Sequence, residues 1–311
     1  MREGNDRAIA FAQALRALGD GAIGAAAEIA EKLLRRWPED AGVHQLMAAV
    51  ALRASKPAEA ERWALSSLAK RPDHCATLVL AALAARALGN WPEARTRFQR
   101  AGELEPARPE AAFGAAAASI QLDAASALAV VEDLSRRFPD QAAGWVEIGG
   151  QLERGEQWEL AARAFANAMS AQPSAGLCVR LGSALQSLGR RDQAATFYQK
   201  ALQLDPTLAE AWFKLGLALQ DGRQPGPAAE AYRRALSLRP DLAEAEANLG
   251  VVLQEQGDLV AAKQAYGRAI ELRPSAFGRV AQALTTAPKG ELWMDLAALR
   301  AHLSELGRLS R

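Results

Sequence analysis

Three glycines near the N-terminus have the spacing of a turn that binds a dinucleotide. Gly19, Gly21 and Gly24 follow the pattern Gly-x-Gly-x-x-Gly and lead into an apolar segment. In a cofactor enzyme this turn follows a β-strand and opens a helix whose N-terminus receives the pyrophosphate. Residues 7–18 hold one β-branched residue among many Ala and Leu, which favours helix. The sequence therefore predicts a turn between two helices and no bound cofactor.

The other residue types that carry chemistry are few and scattered. The histidines, His44, His74 and His302, have no Cys, Asp or Glu at a spacing typical of a metal site. Cys75 and Cys178 form neither a metal pattern nor a disulfide pattern, so we expect buried or half-buried thiols in a reducing compartment. The carboxylates lie close to Arg and Lys and predict a solvated surface. We therefore expect no catalytic residue and no metal.

The composition is that of a helical protein without a nucleic-acid or membrane partner. Half of the 311 residues are hydrophobic, only 6% are aromatic, and the formal charge is +1. A charge this small provides no basic surface for nucleic acid or for an anionic membrane. No apolar run reaches the roughly 18 residues that a transmembrane helix needs, and no signal-peptide pattern is visible. We expect a cytoplasmic location.

Regularly spaced prolines divide most of the chain into repeats. They lie 33 or 34 residues apart, at positions 38, 72, 106, 139, 173, 206, 240 and 274. A fixed period of about 20–50 residues indicates a solenoid or an array. The spacing predicts an array over residues 1–276, with units at about 7–40, 41–74, 75–108, 109–141, 142–174, 175–208, 209–242 and 243–276.

The last three units share the most residues. Aligned, they have Leu-Gly in the first half, then Ala, Tyr and Ala, and Pro at the end: Leu181-Gly182, Ala194, Tyr198, Ala201 and Pro206 in the first of them. The pattern resembles the tetratricopeptide repeat, a 34-residue helix–turn–helix unit. The resemblance is strong over 142–276, moderate over 75–108 and weak at the N-terminus. It implies an all-α, right-handed superhelical solenoid in which Gly19 begins a first turn two residues longer than the later ones.

The residues after Pro274 depart from the repeat. Residues 277–284 predict one more first helix, with Val280, Ala283 and Leu284 on its buried face, and residues 285–290 interrupt it. A second apolar stripe follows, at Leu292, Trp293, Leu296, Leu299, Leu303 and Leu306. We expect residues 277–311 to form capping helices, because an open solenoid end exposes a hydrophobic face. The alternative is a helix that docks on a partner.

The resemblance implies that partners bind in a concave groove lined by the first helices. At the sixth position of successive units, Arg180, Lys214 and Asn248 form a polar column able to receive a carboxylate or peptide carbonyls. Lys214 has an alternative, an ion pair with Glu210 one helical turn away. The groove residues that we predict are Arg180, Lys214, Asn248, Val146, Val179, Phe213, Phe113, Leu46 and Leu80.

The N-terminal half of the groove is apolar. Leu46, Val79, Leu80, Leu83 and Phe113 predict either an exposed interaction patch, with possible self-association, or a surface filled by tighter curvature of the repeats. The carboxylate clamp known in the family is absent, because Val179 and Ser183 stand where it needs Lys and Asn.

Three functions are compatible with this pattern. The first is a non-catalytic scaffold or adaptor that binds a partner protein or peptide in the groove. The second is an accessory subunit of a separately encoded transferase, since related arrays are often fused to transferase domains. The third is an RNA-binding helical repeat, which the near-neutral charge disfavours.

Overall fold

The computed structural model describes residues 2–286 and 296–309, and their side chains over 7–284 and 296–308. The regular structure in these ranges is helical, which confirms the all-α solenoid. The α-helices are α1 (Arg2–Gly19), α2 (Ile23–Arg36), α3 (Ala41–Arg53), α4 (Pro57–Lys70), α5 (Cys75–Ala87), α6 (Trp91–Leu104), α7 (Pro109–Leu122), α8 (Ala127–Arg137), α9 (Ala142–Arg154), α10 (Trp158–Ala171), α11 (Ala175–Ser187), α12 (Arg191–Leu204), α13 (Ala209–Asp221), α14 (Pro225–Leu238), α15 (Ala243–Gln256), α16 (Leu259–Leu272), α17 (Phe277–Thr286) and α18 (Leu296–Leu309).

The chain divides into two compact bodies, residues 1–160 and 161–311. We call them the N-terminal half and the C-terminal half. Within each half, the two helices of a repeat pack on each other, and the second helix packs on the first helix of the next repeat. Consecutive first helices also contact one another, as α3 contacts α5 and α11 contacts α13. The first helices of each half therefore form one continuous face, which we call the first-helix face.

The turn inside the hairpin repeats has one residue in the left-handed region. This residue lies 17 positions before the closing proline, at Gly21, Ser55, Gly89, Glu156, Gly189, Arg223 and Gly257. In the first repeat the residue is Gly21, with φ +75°, whereas Gly19 ends α1 and Gly24 lies within α2. The prediction of a longer first turn is therefore wrong, because Gly21, and not Gly19, is equivalent to the turn residues of the later repeats.

The fourth repeat has a different turn. It lacks one residue, and a short 3₁₀ helix at Ala124–Ser126 replaces the left-handed turn. Asp123 caps this segment by accepting a hydrogen bond from the backbone N–H of Ala125 at 3.0 Å. The second helix of this repeat, α8, is only 11 residues long. The missing residue in the sequence thus shortens the hairpin rather than shifting the repeats that follow.

The core of the C-terminal half is built from a glycine and an aromatic ring in each hairpin. A Cβ added at Gly216 would lie 2.6 Å from the ring of Tyr232, which is fully buried. Gly182 and Gly250 face Tyr198 and Tyr266 in the same way, at 2.7 and 2.5 Å. Glycine at this position lets the ring fill the space between the two helices, as the repeat pattern predicted.

Each of these buried tyrosines donates a hydrogen bond to a glutamine of its own first helix. The pairs are Tyr198–Gln186, Tyr232–Gln220 and Tyr266–Gln254, at 2.9, 2.7 and 2.9 Å. A buried hydroxyl without a partner would cost about 1–3 kcal/mol, and the glutamine provides a partner in all three hairpins. The hydroxyl and the glutamine together fix the position of the ring.

Buried tyrosines make the C-terminal half sensitive to alkaline pH. Burial raises the pKa of Tyr198 to about 12 and also raises the pKa of Tyr232 and Tyr266. Each neutral hydroxyl therefore stabilises the fold fully below the unfolded-state pKa of about 10, and this stability is lost as the pH rises through the folded-state pKa. We expect the free energy of unfolding to fall by about 2–3 kcal/mol from Tyr198 alone between pH 10 and 12.

Denaturant unfolding at pH 8, 10 and 11 measures this loss. Tyr198→Phe removes the titrating group and is expected to flatten the decline while lowering stability at pH 8. An equal decline in wild type and in Tyr198→Phe would contradict the assignment.

The C-terminal end closes on the last hairpin. Val280 and Leu284 of α17, together with Leu299 and Leu303 of α18, join one buried cluster with the core of α14–α16. The first helix predicted over 277–284 is present, and Ala283 is only half-buried. Leu296 is exposed and Leu306 half-buried. The interruption predicted at 285–290 begins later than expected, because α17 continues through Thr286. Leu292, Trp293 and residues 287–290 lie outside the described residues.

Candidate functional site

The polar column lies on the first-helix face of the C-terminal half. Arg180, Lys214 and Asn248 occupy the same position of α11, α13 and α15, and all three side chains are half-buried. Core rings lie beside two of these positions, since Phe165 faces Arg180 and Tyr232 interacts with Asn248. The core packing therefore helps to place Arg180 and Asn248.

Arg180 is held by an aromatic face. Its guanidinium carbon lies 4.3 Å from the centroid of the Phe165 ring. A guanidinium at this distance from a ring is attracted to it by roughly 0.5–2 kcal/mol.

Asn248 lies next to the buried Tyr232. Its carboxamide interacts with the Tyr232 hydroxyl and partly offsets the effect of burial, which raises the pKa of that tyrosine. The hydroxyl itself donates to Gln220 at 2.7 Å. Asn248 therefore belongs to the polar surroundings of the core tyrosine.

Lys214 makes no ion pair with the described residues. Among the described residues no carboxylate lies within ion-pair distance of its ammonium, and the alternative pair with Glu210 does not form. In the N-terminal half the residue at the same position, Glu147, is paired with Arg86. Lys214 is therefore a half-buried cation that has no acceptor for its donors among the residues that the structure describes.

An apolar surface borders the polar column. Phe213, Leu217 and Val251 are partly buried and pack on the core of the C-terminal half. The ring centroid of Phe213 lies 6.0 Å from that of Tyr232. Val179 is only 5% exposed, so it belongs to the core and offers little surface. The surface around Lys214 thus combines one free cation with partly exposed apolar side chains.

The apolar residues of the N-terminal half are mostly internal. Leu46, Val79 and Phe113 are 2%, 7% and 3% exposed. The ring of Phe113 packs edge-on against Trp145 with 5.3 Å between centroids, which explains its burial. The exposed patch that the sequence suggested is thus largely filled by packing, which was the alternative interpretation. Leu80, Leu83 and Val146 remain half-buried.

The histidines and cysteines with described contacts have structural surroundings. His44 hydrogen-bonds the Pro38 carbonyl at 2.6 Å, as the indole of Trp212 does with Pro206 at 3.0 Å, so it takes the place of the repeat's tryptophan. Cys75 and Cys178 are buried and free, and burial raises the pKa of both thiols. Over the described residues, no group of three or more His, Cys, Asp or Glu side chains could hold a metal ion.

Family models identify the repeat. Residues 182–222 match the model of the TPR repeat, and residues 213–277 match a second model, also of the tetratricopeptide repeat. Residues 182–277 of the chain are therefore tetratricopeptide repeats. The two matches together span the hairpins that carry Lys214 and Asn248.

Solved structures of tetratricopeptide repeat proteins share the fold. The C-terminal part of a TPR repeat-containing protein from Cytophaga hutchinsonii is 14% identical, with 89% of this chain and 100% of that chain covered and a TM-score of 0.61. A tetratricopeptide repeat protein from Parabacteroides merdae is 15% identical, with 80% and 99% covered and a TM-score of 0.52. At these identities the likeness concerns the fold alone.

No curated protein matches the sequence. Tetratricopeptide repeats support a general role as a scaffold for protein–protein interaction, and the family and fold are typically non-catalytic. No helix among the described residues is long and apolar enough to cross a membrane.

Sequence reasoning missed two features of this repeat array. The first is the tyrosine–glutamine pairing, although Gln186, Gln220 and Gln254 recur 34 residues apart and the period was visible. The second is Arg71, which follows a second helix and lies outside the positions considered for the groove. Its side chain nevertheless reaches the first-helix face and hydrogen-bonds Gln45 at 3.2 Å.

Proposed function

We propose that this protein is a non-catalytic scaffold that binds a segment of a partner protein on the first-helix face of its C-terminal half. The ammonium of Lys214 donates hydrogen bonds to a carboxylate or to main-chain carbonyls of the partner. Arg180 and Asn248 donate on either side of it. Phe213, Leu217 and Val251 supply apolar contact next to these donors.

The unpaired charge of Lys214 is the observation that carries this proposal. A lysine on a helix surface usually finds a carboxylate one turn away, and Glu210 is available at that spacing. The structure leaves the two side chains apart, with Lys214 half-buried. Partial burial weakens hydration of the ammonium and strengthens any charge-assisted hydrogen bond that it makes to a partner.

Capture from a lysate of the source organism tests the proposal. Wild type is compared with the variant Arg180→Glu/Lys214→Glu/Asn248→Ala, and bound proteins are identified by mass spectrometry. We expect at least one protein to be captured by wild type and lost from the variant, because two donors become acceptors of opposite charge.

A matched control distinguishes the effect of losing the polar column from the effect of a general change in surface charge. Arg191→Glu/Arg233→Glu makes the same two charge reversals at exposed positions of α12 and α14. This variant is expected to retain the partner. Equal capture by all three proteins would refute a role for the column.

A further inference from the structure

A cavity of about 530 Å³ opens on the first-helix face of the N-terminal half, between α1, α3 and α5. We call it the N-terminal pocket. Its apolar wall is formed by Phe11, Leu15, Leu46 and Leu80, and Arg71 forms part of its polar wall. Leu15 is 57% exposed, so the apolar wall is open to a partner even though Leu46 is buried. The volume falls within the range typical of sites that enclose a ligand group.

Arg71 gives the N-terminal pocket a positive charge that the chain does not balance. Its guanidinium makes no ion pair with any described carboxylate, and its Nε is buried without a hydrogen-bond acceptor. Arg7, the other arginine of the pocket, is neutralised by Asp40 at 2.5 Å. A partly buried cation without a counter-charge is costly, and an anion supplied from outside would relieve that cost.

We propose that the N-terminal pocket binds a partner segment that places a large apolar side chain in the cavity and an Asp or Glu side chain against Arg71. The apolar side chain contacts Phe11, Leu15 and Leu80. The carboxylate accepts from the guanidinium, whose fork of donors matches a carboxylate well. This inference rests on the proposed scaffold function only in requiring that the partner is a polypeptide.

Selection from a random peptide library displayed on phage tests this specificity with the full chain as bait. Displayed peptides fused through their C-termini have no free terminal carboxylate, so any acidic preference must come from Asp or Glu. We expect enrichment of sequences with a large apolar residue within two positions of an acidic one. Synthetic copies of the selected peptides, amidated at the C-terminus, are then titrated against the variants to measure their affinity.

Two variants test the two walls of the pocket. Arg71→Gln is expected to weaken binding about tenfold, and Leu80→Gln by a similar factor, because each removes one of the two recognised groups. Arg62→Gln and Leu65→Gln make the same changes at exposed positions of α4 and serve as controls. Circular dichroism checks that all four variants keep the helical content of wild type.

The outcomes distinguish this inference from the proposed function. If the selected peptides bind Lys214→Glu as tightly as wild type, the N-terminal pocket is a site separate from the polar column. This conclusion holds whether or not the polar column binds a partner of its own. The inference would be overturned if the selected peptides lack an acidic residue or if their affinity is the same for Arg71→Gln and wild type. It would also be overturned if no sequence is enriched. If self-association of the chain displaces the selected peptides, the N-terminal pocket binds a second copy of the chain. This result would also overturn the inference.

Discussion

Gly267→Ala is expected to displace α18 from the array. The Cβ of alanine would lie 2.6 Å from the backbone nitrogen of Gly307 and closer still to the carbonyl oxygen of Leu303. Both contacts are to backbone, which cannot rotate away as a side chain could. At the same position of the two preceding repeats stand Gln199 and Arg233, which are exposed. Glycine in the last repeat is what allows α18 to lie directly on α16.

The expected loss of stability is large because α18 brings two fully buried leucines. Leu299 and Leu303 are 0% exposed, and returning such side chains to water costs about 1.5–3 kcal/mol each. We expect Gly267→Ala to lower the free energy of unfolding by about 3–6 kcal/mol or to release α18 altogether. Hydrogen exchange of the α18 amides measures this directly, since released amides lose their protection.

Gly278→Ala is the matched control for Gly267→Ala. Gly278 lies in α17 with no atom within 4 Å of an added Cβ. Alanine is favoured over glycine in a helix by about 1 kcal/mol, so this variant is expected to be neutral or stabilising. Unchanged protection of α18 in Gly267→Ala would show that the helix does not rest on Gly267.

Gly216→Ala is expected to destabilise the protein although alanine is the better helix former. The added Cβ would lie 2.6 Å from the ring of Tyr232, which is 0% exposed. The ring cannot move away freely, because its hydroxyl is bonded to Gln220 at 2.7 Å. Overpacking of this kind costs about 1–3 kcal/mol, which exceeds the gain of about 1 kcal/mol in helix propensity.

Gly176→Ala is expected to have the opposite effect. Gly176 lies near the start of α11, where an added Cβ has no atom within 4 Å. We expect a slightly higher melting temperature for Gly176→Ala and a lower one for Gly216→Ala. If both variants raise the melting temperature, the glycine–tyrosine contact does not determine how closely the hairpin packs.

The fold could be predicted from the sequence because the same physical constraints recur in every repeat. A proline ends each second helix, and a small residue faces the aromatic ring in each of the last three repeats. The same period located Arg180, Lys214 and Asn248 on one face, since residues one repeat apart occupy equivalent positions. The left-handed turn residue was misplaced in the first repeat because Gly19 and Gly21 have the same identity, and only backbone geometry distinguishes them.

Burial and pairing could not be predicted from the period. Whether Lys214 pairs with Glu210 depends on side-chain rotamers, and both arrangements fit the same spacing. Phe113 and Leu46 share the positions of groove residues but are covered by neighbours, Trp145 in the case of Phe113. The approach of α18 to α16 at Gly267 depends on the path of the chain after α17, where the repeat pattern ends.

The affinity of a captured partner for Lys214 variants tests the scaffold account most directly. Isothermal titration compares wild type with Lys214→Glu, Lys214→Arg and the control Arg233→Glu. A lost charge-assisted contact is worth about 1.5–3 kcal/mol, so we predict a Kd about ten- to a hundredfold higher for Lys214→Glu. Lys214→Arg and Arg233→Glu are expected to bind within about twofold of wild type. Equal affinity of wild type and Lys214→Glu would contradict the account.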